Sequence, residues 1–213
     1  MVLYLGIDEA GRGAVIGPLV MAGVEATEEQ IKKLKNLHVR DSKKISKNQR
    51  EQLYEEINKV VTATYIEIAF PKEIDEWVRT KNLNRLEEEM SKRIIKKSNT
   101  SIVIIDSFSA NALSLASRLQ QLFPKKKIIV EHKADDKYVI VGAASIIAKV
   151  VRDWHIKKLG EKYNIGSGYP SDPTTQQFLR ENLNNKEMIP YIRQSWETIE
   201  RVKKKSNQKT LFL

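Results

Sequence analysis

Short apolar segments alternate with longer stretches of helical spacing along most of this chain, and this alternation constrains the fold more than any other feature. Runs suited to strands cover residues 2–7, 15–24, 62–70, 102–105 and 127–131. Helical spacing begins at Pro71 and also covers residues 27–37, 46–60, 82–97, 109–122 and 138–163. Because strands and helices alternate in this order, we predict an α/β fold.

The C-terminal part continues with helical spacing in two pieces, residues 173–183 and 191–205. The chain has no internal repeat or low-complexity linker, and its 213 residues are little more than one typical domain. We therefore predict a single domain over residues 1–213, with a helical C-terminal extension at 174–205 and a flexible tail at 206–213. No heptad pattern demands a dimer, so we expect a monomer.

The charge balance favours a polyanionic partner. Lys and Arg total 37 against 27 for Asp and Glu, a net charge of +10, and the pI is about 9.6. Nucleic acid is the first such partner to consider, although many basic proteins are merely well solvated. The absence of cysteine excludes disulfides, a thiolate nucleophile and a cysteine-based zinc site.

The N-terminus favours a first strand over a signal peptide. Its apolar start is interrupted by Gly6 and Asp8 and lacks a basic leader. No segment is long and apolar enough to span a bilayer. We expect the mature chain to begin here and to be cytoplasmic, with no membrane association.

Acidic residues emerge where apolar strands end. Asp8 and Glu9 follow the first predicted strand, Asp106 ends the run at 102–105, and Asp135 follows the strand ending near Glu131. Rigidly held carboxylates are the hard oxygen ligands that Mg²⁺ or Mn²⁺ requires. Four of them on a basic protein suit two metal ions that clamp the attacking and leaving oxygens of a phosphodiester.

Each acidic residue also has a purely structural interpretation. Asp8 can end a strand, Asp106 can cap the next helix, and Asp135 or Asp136 can cap the long helix. The motifs around these residues must decide between the two interpretations.

Residues 8–13 read Asp-Glu-Ala-Gly-Arg-Gly, two acids followed by a turn whose bare backbone can approach a ligand closely. This segment resembles the signature of the ribonuclease HII family. Later blocks resemble that family in the same order: Asp-Ser-Lys-Lys at 41–44, Asp-Ser at 106–107, His-Lys-Ala-Asp at 132–135 and Gly-Tyr-Pro-Ser-Asp-Pro at 168–173. The resemblance covers most of the chain, from Gly6 to Thr174.

The resemblance implies a ribonuclease H-like mixed sheet flanked by helices. It implies that the family's metal-binding and catalytic carboxylates correspond to Asp8, Glu9, Asp106 and Asp135, with Mg²⁺ or Mn²⁺ and no organic cofactor. The implied reaction cuts the RNA strand of RNA-DNA hybrids, and the 5' side of a single ribonucleotide in duplex DNA, by attack of water. It leaves a 3'-hydroxyl and a 5'-phosphate, as expected of an enzyme of ribonucleotide removal in DNA replication and repair.

The resemblance also implies the substrate-binding residues. It assigns recognition of the ribose 2'-hydroxyl to the backbone of Gly11, Arg12 and Gly13, and stacking on the adjoining deoxyribose to Tyr169. Lys43 resembles a family position near the scissile phosphate. Outside this context, Tyr169 would be a surface aromatic and Arg12 a solvated or phosphate-pairing cation.

Within the predicted long helix, Ser145, Lys149 and Arg152 fall at i, i+4 and i+7. This spacing puts them on one face, where they can form a row that contacts phosphates. The alternative is an ordinary exposed basic face.

The last residues, 208–213, read Gln-Lys-Thr-Leu-Phe-Leu and partly resemble a peptide that binds a sliding clamp. A frayed apolar tail is the simpler interpretation. Two alternative functions also stay open at this point. One is another ribonuclease H-like nuclease, such as a junction resolvase, and the other is a basic nucleic-acid-binding protein without catalysis.

Overall fold

A mixed sheet forms in the part of the chain that the computed structural model describes, which is residues 2–37, 39 and 46–210, with residues 205–210 described by backbone only. Its strands are β1 (Leu3–Ala10), β2 (Leu19–Thr27), β3 (Ala63–Ala69), β4 (Ile102–Asp106) and β5 (Lys127–Glu131). Their order is β3-β2-β1-β4-β5. β1 is antiparallel to β2, whereas β4 is parallel to both β1 and β5. The predicted α/β class is therefore confirmed.

Helices separate most of the strands, as the sequence pattern predicts. They are α1 (Glu28–Asn36), α2 (Lys47–Val60), α3 (Pro71–Thr80), α4 (Leu83–Lys97), α5 (Ala112–Leu122), α6 (Ala134–Lys137), α7 (Val139–Gly160), α8 (Pro173–Asn182) and α9 (Glu197–Thr210). The Ser46 side chain caps α2 and forms a capping box with Gln49, which confirms a predicted helix start. No helix of the described chain is both long and apolar enough to cross a membrane.

The described chain forms two compact units. The first consists of Met1–Ala10, Val20–Glu67 and Asn84–Val151, and the second of Gly11–Leu19, Ile68–Leu83 and Arg152–Leu213. The first contains nearly all of the sheet, while the second contains α3, α8 and α9. The prediction that residues 1–213 form one domain, with an extension from 174, stays a prediction.

The core of the first unit lies where α7 packs on β1. A Cβ atom on Gly6 would lie 2.5 Å from the carbonyl carbon of Ile140, so the helix backbone touches the strand at this glycine. Nearly every α7 residue up to Val151 is buried. A helix that is apolar all round must be enclosed in this way.

The second unit has a separate apolar cluster. It is formed by Val15, Ile16, Ile156, Ile165, Phe178, Leu179, Leu183, Met188, Ile192 and Ile199. The segment 15–17 joins this cluster through an isolated bridge between Ile16 and Ile192.

The predicted starts of two elements differ most from the structure. The strand predicted at 15–24 begins only at Leu19, because Gly17 takes a left-handed conformation and Pro18 lacks an amide donor. The helix predicted at 191–205 begins at Glu197 and extends to Thr210. Its predicted first turn is instead irregular, because Asp75 binds the backbone of Gln194 and Ser195.

Candidate active site

The sheet register brings Asp8 level with Asp106. In the parallel pair of β1 and β4, Ile7 lies opposite Ile105, and the next residue on each strand is an aspartate. The sequence predicts that Asp8 follows the first strand, and this is wrong. Asp8 lies within β1. The strand continues to Ala10 because its other edge still pairs with β2 at this level.

Asp135 arrives from the turn after β5. Lys133 has a left-handed conformation, with φ 57° and ψ 39°, and directs the chain into the short helix α6. The amide of Ala134 donates to Asp106 Oδ1 at 2.9 Å, which fixes this helix against the end of β4. Sequence reasoning missed α6, because four residues are too few to show a helical period.

The three aspartates converge. One carboxylate oxygen from each of Asp8, Asp106 and Asp135 lies within 4.8 Å of the others. Asp8 and Asp135 are buried, at 5% and 7% exposure. Like charges this close in a poorly solvated site repel one another. The donor set, all carboxylate oxygens, fits a hard divalent cation such as Mg²⁺ or Mn²⁺.

Burial is the main reason that the pKa of Asp8 rises to about 7, and the charges of Asp106 and Asp135 add to the rise. Hydrogen bonds from the Ser145 hydroxyl and from the Glu9 amide oppose it. The pKa of Asp8 therefore depends on both burial and repulsion. A cation bound at the cluster would relieve the repulsion.

Glu9 is not one of the three converging residues among those described. It follows Asp8 on the same strand, where successive side chains point to opposite faces. The predicted role of Glu9 as a metal ligand therefore stays a prediction.

The capping alternative is wrong for Asp106. Helix α5, the next helix along the chain, is capped by Asn111, whose side chain accepts from the Ser114 amide at 2.9 Å. Asp106 instead binds the amide of Ala134. Asp135 lies inside α6.

Ser145 and Lys149 extend the acidic cluster. Ser145 is buried at 1% exposure and hydrogen bonds to Asp8. Lys149 Nζ donates to Ser145 Oγ at 2.8 Å, so a cation is linked to Asp8 through one hydroxyl. Sequence reasoning selected both residues for phosphate contact and missed their connection to the carboxylates, which only the position of α7 reveals.

The residues predicted to recognise the ribose and to stack on the adjoining deoxyribose lie in the second unit. Gly11 has φ 87°, and its carbonyl accepts the amide of Ala14 at 3.2 Å, which closes the Gly-Arg-Gly turn. Gly13 is exposed, with open space beside its Cα. The amides of Val15 and Ile16 both donate to the carbonyl of Gly168. The segment that follows the turn is thus bound to the loop that contains Tyr169.

Arg152 is buried, at 3% exposure, so the exposed-face interpretation is wrong for it. Its guanidinium lies 4.5 Å from the centroid of the Tyr169 ring, and its Nη2 donates to the Ser167 carbonyl at 3.0 Å. Arg152 also packs against Gly11, where any Cβ atom would clash with it. It therefore supports the turn and the tyrosine together.

Two predicted features lie outside the residues that the structure describes. Asp41, Ser42 and Lys43 lie outside the described residues, so the role of Lys43 stays a prediction. The end of the chain after Thr210 also lies outside them.

Comparisons with known proteins identify the family. The ribonuclease HII family model matches residues 5–199. Ribonuclease HII of Pyrococcus furiosus is 42% identical over 97% of this chain and 95% of its own. Two solved structures are similar in fold. The ribonuclease HII in a complex with PCNA from Archaeoglobus fulgidus has a TM-score of 0.87 and 40% identity, over 93% of this chain and 96% of that one. Ribonuclease H2 of Pyrococcus horikoshii has a TM-score of 0.85 and 38% identity, over 96% and 98%.

These matches, together with three aspartates that converge beside a mixed sheet, define a ribonuclease H-like nuclease. The chain belongs to the ribonuclease HII family. It is a hydrolase, an endonuclease that acts on RNA in RNA-DNA hybrids. The predicted family and enzyme class are confirmed, and the binding protein without catalysis and the junction resolvase are ruled out.

Proposed function

We propose that this enzyme cuts the RNA strand of hybrids and the 5' side of single ribonucleotides embedded in duplex DNA, leaving a 3'-hydroxyl and a 5'-phosphate. The observation that supports this most is the convergence of Asp8, Asp106 and Asp135 within 4.8 Å. Such a cluster on a chain of net charge +10 suits a reaction at a phosphodiester.

The metal-binding and catalytic residues proposed here are Asp8, Glu9, Asp106 and Asp135. The three aspartates would hold one divalent ion, Mg²⁺ or Mn²⁺, and Glu9 would contribute to a second ion. Bound ions of this kind supply an activated water and stabilise charge on the leaving 3'-oxygen. No organic cofactor is needed for this hydrolysis.

The protein's own groups would orient the carboxylates. Ser145 donates to Asp8 and accepts from Lys149, so it holds one oxygen of Asp8 in a fixed direction. Asp106 is held in the same way by the amide of Ala134. Preorganised ligands of this kind spare the enzyme a reorganisation cost at the moment of reaction.

Recognition of the ribonucleotide would come from the second unit. The backbone of Gly11, Arg12 and Gly13 would bind the 2'-hydroxyl, the one group that distinguishes RNA from DNA. The open space beside Gly13 leaves room for a sugar. Tyr169, held by Arg152, would stack on the adjoining deoxyribose. Lys43 would approach the scissile phosphate.

The test compares the wild type with Asp8→Asn on a labelled DNA duplex that contains one ribonucleotide. Each protein is incubated with Mg²⁺, with Mn²⁺ or with a chelator. We expect a single cut 5' to the ribonucleotide from the wild type with metal, and none from the other combinations. A second substrate, an RNA-DNA hybrid, verifies that the wild-type preparation is active.

Two results would contradict the proposal in different ways. Cleavage of the hybrid without cleavage of the single-ribonucleotide duplex would restrict the activity to longer RNA. Full activity of Asp8→Asn would remove this carboxylate from the mechanism. Mass analysis of the products shows whether the phosphate is on the 5' end of the downstream fragment, as proposed, or on the 3' end of the upstream fragment.

A sliding clamp is the protein partner that we propose. The similar ribonuclease HII of Archaeoglobus fulgidus has been solved in complex with PCNA. Residues 208–213 of this chain are Gln, two polar residues and then three apolar residues. Calorimetric titration of a PCNA-type clamp should show binding to the full chain and none to a chain that ends at Asn207. Equal binding by both would place the contact elsewhere.

A further inference from the structure

Arg193 is the most deeply buried cationic side chain described in the second unit, at 0% exposure. Burying a guanidinium is costly unless hydrogen bonds compensate for the lost water. Its Nε donates to the carbonyl of Gly17 at 3.0 Å, and its Nη1 donates to the carbonyl of Arg12 at 3.1 Å. The side chain therefore binds the Gly-Arg-Gly turn and the segment that follows it.

The backbone around Arg193 fixes its approach to the turn. Its amide donates to the carbonyl of Val15 at 2.9 Å, and the carbonyl of Tyr191 accepts the Gly17 amide at 2.9 Å. Residues 191–193 and 15–17 thus form a short antiparallel contact, with a bridge between Ile16 and Ile192. The backbone of Arg193 is therefore fixed relative to the turn that its side chain binds.

Trp196 contacts the Arg193 side chain, and Asp75 fixes the residues that follow it. The ring of Trp196 covers the guanidinium, with 4.9 Å between the ring centroid and Cζ. The buried Asp75 carboxylate accepts the amides of Gln194 and Ser195 at 2.9 Å each, and the Ser195 hydroxyl at 2.6 Å. The next two residues of the chain are therefore immobilised.

The hydrogen bond to Arg12 also sets the direction of a donor. In a planar trans peptide, the carbonyl of one residue and the amide of the next point in opposite directions. The Arg12 carbonyl points to the guanidinium, so the Gly13 amide points away from it. Gly13 is exposed and has open space beside it.

We propose that Arg193 is a positioning residue for ribose recognition, because it orients the peptide between Arg12 and Gly13 so that the Gly13 amide is presented to the substrate 2'-hydroxyl. This inference rests on the proposed function, in which the turn binds that hydroxyl. Arg193 itself contacts no substrate. Its effect is exerted through the direction of one backbone donor.

The test measures binding to two duplexes of the same sequence, one with a single ribonucleotide and one of DNA alone. Ca²⁺ replaces Mg²⁺ or Mn²⁺, and gels verify that the strands stay intact. The quantity compared is the ratio of the two Kd values. The variants are Arg193→Met, which keeps most of the side-chain volume, and Arg193→Lys, which keeps the charge but lacks the two-pronged donor. Phe178→Leu, in the apolar cluster of the same unit, controls for lost stability.

We expect Arg193→Met to lower the preference for the ribonucleotide about tenfold, the effect of one hydrogen bond. Affinity for the all-DNA duplex should hardly change, and Phe178→Leu should keep the wild-type ratio. An unchanged ratio in Arg193→Met would overturn the inference. If that variant does not fold, Arg193→Lys decides by the same criterion. If the wild type itself shows no preference, the proposed function fails first and the inference falls with it.

Discussion

The two compact units bury charge in opposite ways. In the first, three carboxylates lie within 4.8 Å of one another, and the pKa of Asp8 is raised to about 7. In the second, Arg152 and Arg193 are buried at 3% and 0% exposure, and both donate to backbone carbonyls. One unit concentrates like charges, whereas the other pairs its buried cations with dipoles of the backbone.

The difference shows how buried charges can indicate a role. A charge removed from water must be compensated by a partner, by a proton or by an ion. Carbonyl groups within the second unit provide that compensation, so its arginines stabilise loops. The cluster in the first unit has acidic neighbours, so it binds a proton or a cation. This contrast supports the proposal that residues of the first unit carry out the chemistry and residues of the second recognise the ribonucleotide.

The largest expected effect is a loss of cleavage rate without a change in the preference for ribonucleotide-containing duplexes. Asp106→Asn keeps the shape of the side chain and an oxygen for the Ala134 amide, but it removes one charge from the cluster. We expect the cleavage rate on an RNA-DNA hybrid to fall about 10²- to 10³-fold, while the Kd ratio for ribonucleotide and DNA duplexes stays unchanged.

Glu131→Gln is the matched control for this change. Glu131 lies opposite Asp106 on β5, binds Lys137 and Tyr138, and is outside the cluster. This variant should cleave at the wild-type rate. Wild-type cleavage by Asp106→Asn would mean that the cluster is not the reaction site.

The next effect tests the packing that supports the cluster. Gly6→Ala would bring a Cβ atom to 2.5 Å from the α7 backbone at Ile140. We expect urea unfolding to show a loss of about 3 kcal/mol, the cost of overpacking a rigid contact. Gly160→Ala, on the same helix with nothing within 4 Å, should be neutral or slightly stabilising. Equal stability of the two variants would contradict the close packing of α7 on β1.

The pKa of Asp8 predicts how stability depends on pH. Because the folded pKa lies near 7 and the ordinary value is 3.8, the folded protein binds the proton more tightly than the unfolded chain. The stability of the metal-free wild type should therefore fall as pH rises from about 4 to about 7, and then level off. Asp8→Asn should lack this loss.

Unfolding in chelator at about pH 5 and about pH 8 measures this difference. At the higher pH, Asp8→Asn should be the more stable protein by about 1 to 3 kcal/mol. Addition of Mn²⁺ should stabilise the wild type more than the variant, because ligand binding favours the folded state. A wild type that is more stable than Asp8→Asn in chelator at the higher pH would show that burial and repulsion do not destabilise the ionised Asp8.

The smallest expected effect belongs to the second unit. Tyr169→Ala removes the ring under Arg152 and should lower the preference for a ribonucleotide-containing duplex about fivefold, from lost stacking. Tyr169→Phe keeps the ring and should retain the preference. Calorimetry of Mn²⁺ binding should give the same affinity for all three proteins. A weaker Mn²⁺ affinity in Tyr169→Ala would mean that metal binding and ribonucleotide recognition are not separable.

Local signals in the sequence predicted many elements well. The strand at 127–131 and the helix predicted at 46–60 are found as predicted, because strand alternation, helical spacing and capping depend on neighbours along the chain. The prediction that a helix begins at residue 191 is wrong, because the helix begins at Glu197. Asp75, far away in sequence, binds the backbone of residues 194 and 195 and prevents the helical turn.

The sequence by itself determined the family and the candidate acids, because the signature at residues 8–13 and the later blocks are local patterns of residue type. Only the tertiary structure decided that Asp8, Asp106 and Asp135 meet while Glu9 stays outside their group. It also decided that Ser145 hydrogen bonds to Asp8, and that Arg152 and Arg193 donate hydrogen bonds to loop carbonyls. The physical reason is that convergence and burial arise from strand register and helix packing between distant segments, which no local pattern encodes.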